Sequence, residues 1–249
     1  MKNFMLTVFL GLFSCPFSFS QQGHRNFLHS DLLYGVPLIY NPVGLIAPSD
    51  DNGFDNIGFN IGYTYMLTES FGADLAFGIN RFFYSESKME KAYMKSVDNF
   101  VFASGMTDDK RNLLGIASFT SGPVFRRNIS RLFSFQAQTN FGLFYFNKSN
   151  YFILEKENST NHVFEKQYDV QGAYVLGFHP SVMINYHPQK GKVDFYAKFF
   201  YMYSRPELKY NVSEKDFLDG SYWAESYKQR ETFSCLMFTL GLNFNLKNR

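Results

Sequence analysis

Residues 57–68 read IGFNIGYTYMLT, and two kinds of residue take strict turns along them. Ile57, Phe59, Ile61, Tyr63, Tyr65 and Leu67 form one row, while Gly58, Asn60, Gly62, Thr64, Met66 and Thr68 form the other. Alternation with a period of two marks an extended strand, whose successive side chains point to opposite faces of a sheet. It leaves open which face meets water. In a soluble barrel the apolar row points inward; in a membrane barrel it points outward at lipid and the small polar row fills the lumen.

The same division recurs along the chain. In LFSFQAQTNFGLFYF, residues 132–146, Phe133, Phe135, Ala137, Phe141, Leu143 and Tyr145 alternate with Ser134, Gln136, Gln138, Asn140 and Gly142. Residues 170–186, 193–203 and 236–246 divide likewise, and 71–84 and 113–125 follow the pattern less cleanly, the faces of the last being unassigned. These runs are roughly 11 to 17 residues long, against about 5 or 6 for a strand in a globular protein and about 9 to 11 for one that spans a membrane. Length favours the membrane.

Loop length gives an independent argument. Short connections fall at 69–70, 126–130 and 187–192, and long polar ones at 85–111, 147–167 and 205–231. A membrane barrel has short periplasmic turns and long extracellular loops, so alternation of loop length is expected there. Counting strands back from a periplasmic C-terminus leaves one ascending strand missing, and DLLYGVPLIY, residues 31–40, supplies it. Pro37 and Pro180 interrupt their strands and are expected at bulges or strand ends, because proline cannot donate to a ladder. The fold expected is all-β: a closed antiparallel up-and-down transmembrane β-barrel of eight strands.

The row opposite the apolar one decides the orientation. On a solvated sheet it would carry many Lys and Glu residues, but it carries Gly, Asn, Gln, Ser and Thr. Such residues suit the narrow interior of an eight-stranded barrel. Asp74, Arg81, Asp194 and Lys198 are placed on the lumen rows and expected to pair across the interior, together with Gln136, Asn140 and His179. Tyr63, Tyr65, Tyr145, Tyr186 and Tyr203 are expected in girdles where lipid meets water.

The rest of the sequence bounds the function. With 31 Phe and 17 Tyr the chain is 20% aromatic and only 18% charged, and a net charge of +2 makes no case for nucleic acid. Residues 1–20, with Lys2, the apolar run Phe4–Phe13 and small residues Ser18 and Ser20, read as a signal peptide, leaving 21–249 as the barrel domain. Lipidation at Cys15 is the rival reading of LFSC. Cys15 and Cys235 are the two cysteines, so no disulfide framework or structural zinc site is expected, and no cofactor. Residues 87–100, SKMEKAYMKSVDNF, read either as a short amphipathic helix or as a charged loop. The Asn-x-Ser/Thr sites at Asn128, Asn147, Asn158 and Asn211 are read as chance in an Asn- and Ser-rich chain.

The leader ending FSFSQQ, the strand and loop rhythm over 28–246 and the last strand TLGLNFNL resemble the small eight-stranded outer-membrane barrels of Gram-negative bacteria, especially the outer-membrane β-barrel proteins of Bacteroidota. Thr239, Gly241, Phe244 and Leu246 look like the C-terminal sorting signal of such barrels, although the chain ends in KNR rather than an aromatic residue. The resemblance implies an outer-membrane location, contact with lipid and lipopolysaccharide, and insertion by the barrel-assembly machinery.

A packed polar lumen conducts poorly, so the expected working parts are the external loops: a non-catalytic protein contacting an extracellular protein, a small ligand or the lipopolysaccharide surface. Tyr93, Phe100, Phe102, Tyr151, Phe152, Tyr222 and Trp223 are the candidate contacts, with rim capping as the alternative role. A lipid-modifying enzyme is the competing class, resting on His179 and Ser181, two apart on one face. A transporter of hydrophobic molecules and a soluble lipocalin-like barrel complete the alternatives.

Overall fold

The computed structural model describes residues 26–41, 54–84, 100–105, 114–157, 162–188 and 192–246. The expected signal peptide, Cys15, residues 87–99 with Tyr93, and the terminal KNR lie outside them. Eight long strands build a closed barrel: β1 (Asn26–Asn41), β2 (Phe54–Met66), β3 (Phe71–Tyr84), β5 (Leu114–Asn128), β6 (Phe133–Lys148), β9 (Ala173–Tyr186), β10 (Val193–Ser204) and β13 (Thr232–Leu246). Their order around the wall is β1-β13-β10-β9-β6-β5-β3-β2, and every neighbouring pair is antiparallel. The first strand, found in the sequence only by counting, closes the barrel against the last, and Pro37 lies in a register shift between Val36 and Ile39.

Phe59 is 47% exposed and Ile57 59%, whereas Asn60 and Thr64 on the opposite row are buried. Around the wall Leu32, Phe77, Phe141, Leu176, Ile184, Phe199 and Leu240 also stand outward. An apolar belt of this extent on the outside has no stable home in water, and a closed barrel leaves no unpaired backbone edge to be solvated, so the barrel spans a membrane. A soluble barrel with its apolar row inward is excluded by the same observation. On β9 the outward residues Tyr174 and Tyr186 are 12 positions apart, roughly 28 Å of height at ~3.3 Å per residue and ~45° tilt, close to the apolar band of about 25 Å in such barrels. Tyr186 packs on Phe133 at a ring distance of 5.4 Å, and Tyr174 on Tyr145 at 4.7 Å, giving each end of the belt an aromatic pair.

Short turns join the strands at one end, the turn end. Thr68 Oγ1 accepts from the backbone N–H of Ser70 and Phe71, and Ser130 Oγ from those of Leu132 and Phe133, so each of these two turns is tied by its own hydroxyl. At the other end the long connections carry further strands among the described residues. They form a second antiparallel sheet of β4 (Phe100–Gly105), β7 (Tyr151–Glu157), β8 (Val163–Gln171), β11 (Glu207–Asp216) and β12 (Tyr222–Arg230), in the order β12-β11-β8-β7-β4. That order repeats the wall order β13-β10-β9-β6-β5 strand for strand. Only Ser149–Asn150, Gly172, Arg205–Pro206 and Glu231 interrupt the four continuous strands, so the sheet is the barrel wall carried onward on one side.

The interior has two halves. Toward the turn end the inward rows are mainly polar, apart from a small apolar cluster of Phe27, Met66 and Val124. Toward the extension they are apolar: Phe82, Ile116, Phe144, Phe146, Met202 and Phe233 form one cluster that continues onto Tyr168, Leu208, Tyr210 and Val212 of the extension sheet. Phe233 meets the rings of Phe82 at 5.3 Å and Phe146 at 5.4 Å. Each fully buried side chain of this size contributes about 1.5–3 kcal/mol relative to exposure, which explains why the extension is sheet rather than free loop. The expectation of a lumen polar throughout is therefore corrected. Near the extension both rows turn apolar, as in KFFYMY (198–203) and TFSCLMF (232–238), because the interior there is a hydrophobic plug.

Candidate functional site

Three groupings of polar side chains stand out. The first crosses the lumen. Asp74 on β3 is fully enclosed, accepting from Thr64 Oγ1 at 2.7 Å and Asn140 Nδ2 at 2.8 Å, with His29 Nε2 at 2.9 Å. A carboxylate can only accept, so His29 donates through Nε2. Asp31 accepts from the Tyr196 hydroxyl at 2.8 Å and stands 4.0 Å from Lys198 Nζ. Gly62 leaves the space that the His29 ring occupies, since a Cβ added there would lie 2.4 Å from its Cε1; Gly241 does the same for the Tyr196 ring, again at 2.4 Å.

Of the lumen residues expected from sequence, Asp74, Gln136, Asn140, His179, Asp194 and Lys198 are buried on inward rows. Asp74 and Asn140 meet directly; Gln136 donates to Gln138 at 3.1 Å. Arg81 is a correction. It is exposed on the outward row with Phe77 and Ile79. Asp74 and Arg81 are seven positions apart, an odd number, so one strand cannot put both on one face. Arg81 sits near the extension end of β3, where a long side chain can carry its charge to the lipid–water boundary. The partners of the expected charges lie largely outside the expected set: Asp74 meets His29, Asp194 meets His187, and Lys198 stands beside Asp31. Asp31 was legible as the residue opposite Leu32, and His29 would have followed from extending β1 toward Asn26.

The second grouping closes the turn end. Ser134 Oγ lies 2.8 Å from His187 Nε2, and Asp194 Oδ2 2.8 Å from His187 Nδ1. The arrangement of serine, histidine and aspartate has the order of a nucleophile, base and orienting group. Arg126 Nη2 also lies 3.0 Å from His187 Nε2, and its guanidinium covers the Phe27 ring at 4.4 Å. Arginine can only donate, so Nε2 is the acceptor, while Nδ1 and Asp194 Oδ2 are in close contact without hydrogen-bond geometry. Ser134 is completely enclosed, at 0% exposure. A nucleophile that no substrate can reach, sharing its base with a cation, is part of a plug. The pair singled out from sequence fares no better: neither His179 Nε2 nor Ser181 Oγ has a hydrogen-bond partner, so the two are not joined as base and nucleophile.

The third grouping lies on the outer face of the extension sheet. Gln167 and Asp169 on β8, Asn211 and Ser213 on β11, and Tyr222 and Ser226 on β12 line a shallow groove of about 390 Å³. Cross-strand register puts Asp169, Asn211 and Ser226 in one row, and Gln167, Ser213 and Ala224 in the next. Ser226 Oγ donates to Asn211 Oδ1 at 2.8 Å. Tyr222 is 69% exposed at the end of the groove, and Trp223, 49% exposed, points to the other face of the same strand. Phe152 and Tyr151 belong to β7, and Phe100 and Phe102 to β4. Beneath the groove Lys166 bridges Glu155 at 2.9 Å and Glu214 at 3.5 Å. Partial burial works against the lysine charge, but Glu155 and then Glu214 outweigh it and raise its pKa above the ordinary 10.5. Among the described residues no group of three or more His, Cys, Asp and Glu is placed to hold a metal ion.

No family model matches the chain, and no curated protein does. Among solved structures, Ail, the attachment invasion locus protein of Yersinia pestis, is 12% identical over 90% of this chain and 100% of its own, with a TM-score of 0.43. The outer membrane protein OprG from Pseudomonas aeruginosa is 8% identical over 92% and 99%, at 0.45. A major outer membrane protein from Thermus thermophilus is 10% identical over 90% and 100%, at 0.44. Identities and scores this low assign neither a family nor a function.

Proposed function

We propose that the protein is a non-catalytic outer-membrane barrel whose one-sided extension is a rigid, extracellular contact surface, with the short turns in the periplasm. The observation that carries this reading is the extension sheet itself: four of its five strands continue strands of the barrel wall, and it presents a polar groove clear of the lipid belt. The groove offers amide, hydroxyl and carboxylate groups beside one exposed aromatic ring, a set suited to a neutral, hydroxyl-rich ligand such as the sugars of lipopolysaccharide. Lipid around the belt and the barrel-assembly machinery, which would read Thr239, Gly241, Phe244 and Leu246 of β13, are the remaining partners in this reading.

Two measurements test it. An epitope placed in the turn 217–221 should be stained by antibody on intact cells. Purified protein in nanodiscs should bind lipopolysaccharide micelles, and Tyr222→Ala with Asn211→Ala should weaken that binding while leaving the heat-modifiable gel mobility of a closed barrel unchanged. Staining only after permeabilisation, or unaltered binding by the double variant, contradicts the reading.

A further inference from the structure

The hairpin that joins β11 to β12 ends in an apolar tip. Phe217 and Leu218 in its turn are 52% and 65% exposed, and Tyr222 and Trp223, where β12 begins, are also open to solvent. The 10 residues of β11 carry this turn roughly 23 Å beyond the barrel rim, at ~3.3 Å per residue and ~45° tilt. The polar layer of one leaflet is only about 5–8 Å deep, so lipid around the barrel's own belt does not reach these side chains. Four large apolar side chains gathered so far from the belt mark a contact surface.

The turn meets its own hydrogen-bonding needs. The Asp216 N–H donates to the Ser221 carbonyl at 3.0 Å, that of Phe217 to the Val163 carbonyl at 2.9 Å, and that of Gly220 to the Asp216 carbonyl at 3.1 Å. The Leu218 N–H donates to Asp216 Oδ1 at 2.8 Å and the Ser221 N–H to Asp219 Oδ1 at 2.7 Å. Gly220 supplies the positive φ of 74° that closes the turn. Water would satisfy these five amides in any exposed loop. Pairing them within the protein matters when the loop leaves water, because an unpaired donor is costly in a less polar medium.

Shape and charge select the medium. Tyr222 and Trp223 are consecutive on one strand and point to opposite faces, and Phe217 and Leu218 lie beyond its end, so the apolar surface is convex and wraps the tip. A flat protein partner covers one face of such a strand; a fluid lipid interface closes around both. The exposed charges beside the tip are Asp219 and Lys215, whose Nζ lies 5.4 Å from the centre of the Phe217 ring. One anion and one cation suit zwitterionic headgroups and stop the tip at the interface, the level that Trp and Tyr rings prefer.

We propose that the β11–β12 tip seats in the headgroup region of a second, apposed bilayer of zwitterionic phospholipid and so holds the barrel's own membrane against it. This rests on the extension lying outside the cell, but not on any ligand in the groove.

Trp223 is the only tryptophan of the chain, so its fluorescence reports the tip alone. The test holds the full-length mature protein in nanodiscs with a tryptophan-free scaffold and adds phosphatidylcholine vesicles. The vesicles should shift Trp223 emission to the blue and, when brominated, quench it, more strongly with bromine near the glycerol end of the acyl chain than near its methyl end. Raising the salt should leave the shift unchanged, since no net charge drives it. Phe217→Ser with Leu218→Ser, which keeps the probe, should weaken vesicle partitioning by more than about tenfold without altering heat-modifiable mobility. Emission unmoved by vesicles, a shift lost at high salt, equal partitioning by the double variant, or a blue emission that grows with protein concentration in the absence of vesicles, which would place the tip in a second copy, would each overturn the proposal. Epitope staining on intact cells reads the sidedness of the extension separately, so failure of that reading and failure of vesicle binding are told apart.

Discussion

His29 and Asp74 meet across the lumen from β1 and β3, with Nε2 2.9 Å from the carboxylate and both residues shielded from solvent. The contact joins the strand that closes the barrel to the strand two places away, so it locks the closure from within. Asp74→Ala removes the acceptor shared by His29, Thr64 and Asn140 and should cost about 3–5 kcal/mol, since three buried donors lose their partner at once. Asp74→Asn should cost less. Denaturant unfolding in detergent micelles, read by gel mobility, measures both; equal stability of the Ala variant would show that the network is ornamental.

Gly62 is required by the same contact. An added Cβ would press on the His29 ring and stand 2.8 Å from the Leu75 carbonyl oxygen, so Gly62→Ala should destabilise by about 1–3 kcal/mol. If the strain acts by displacing His29 from Asp74, the substitution should cost less in an Asp74→Asn background. Strict additivity in the double variant would place the strain in the backbone instead.

The Lys166 bridge gives the extension a pH dependence. Its pKa is raised on folding, so its stabilisation is fully present below the unfolded value and is lost as pH rises through the folded one. Proteolysis within β7 and β8 should therefore be flat through neutral pH and accelerate only above about pH 10.5. Lys166→Met should remove that alkaline step; an identical profile in the variant would assign the step to another group.

Ser134 should be inert toward fluorophosphonates in the folded barrel, because the residue is enclosed and His187 Nε2 is shared with Arg126. Labelling that is lost in Ser134→Ala would show a working nucleophile and defeat the non-catalytic reading.

The barrel was legible because lipid outside and small polar residues inside write opposite chemistry on alternate positions, and β2, β6, β9 and β13 keep that alternation for most of their length. Where the plug replaces the polar lumen, both rows become apolar and the inward row of β10 at Phe200 and Met202 loses its signature. The extension strands were hidden for a related reason. ELKYNVSEKD and YWAESYKQR carry a charged outward face typical of exposed loops, and only their pairing in space reveals the sheet. Arg81 was misplaced through chain parity, which the sequence did contain. The partners of the lumen charges depend on which strands become neighbours at equal height, and local pattern does not encode that.

Nitroxide labels at Phe59, Phe141 and Leu240, read for relaxation by oxygen and by a water-soluble nickel chelate in a lipid bilayer, test the membrane orientation of the wall most directly. High oxygen and low nickel accessibility at all three positions is the expected result, since these side chains stand outward in the belt. High nickel accessibility with little effect of oxygen would mean that the apolar rows face water or a private interior, and the barrel would be inside out.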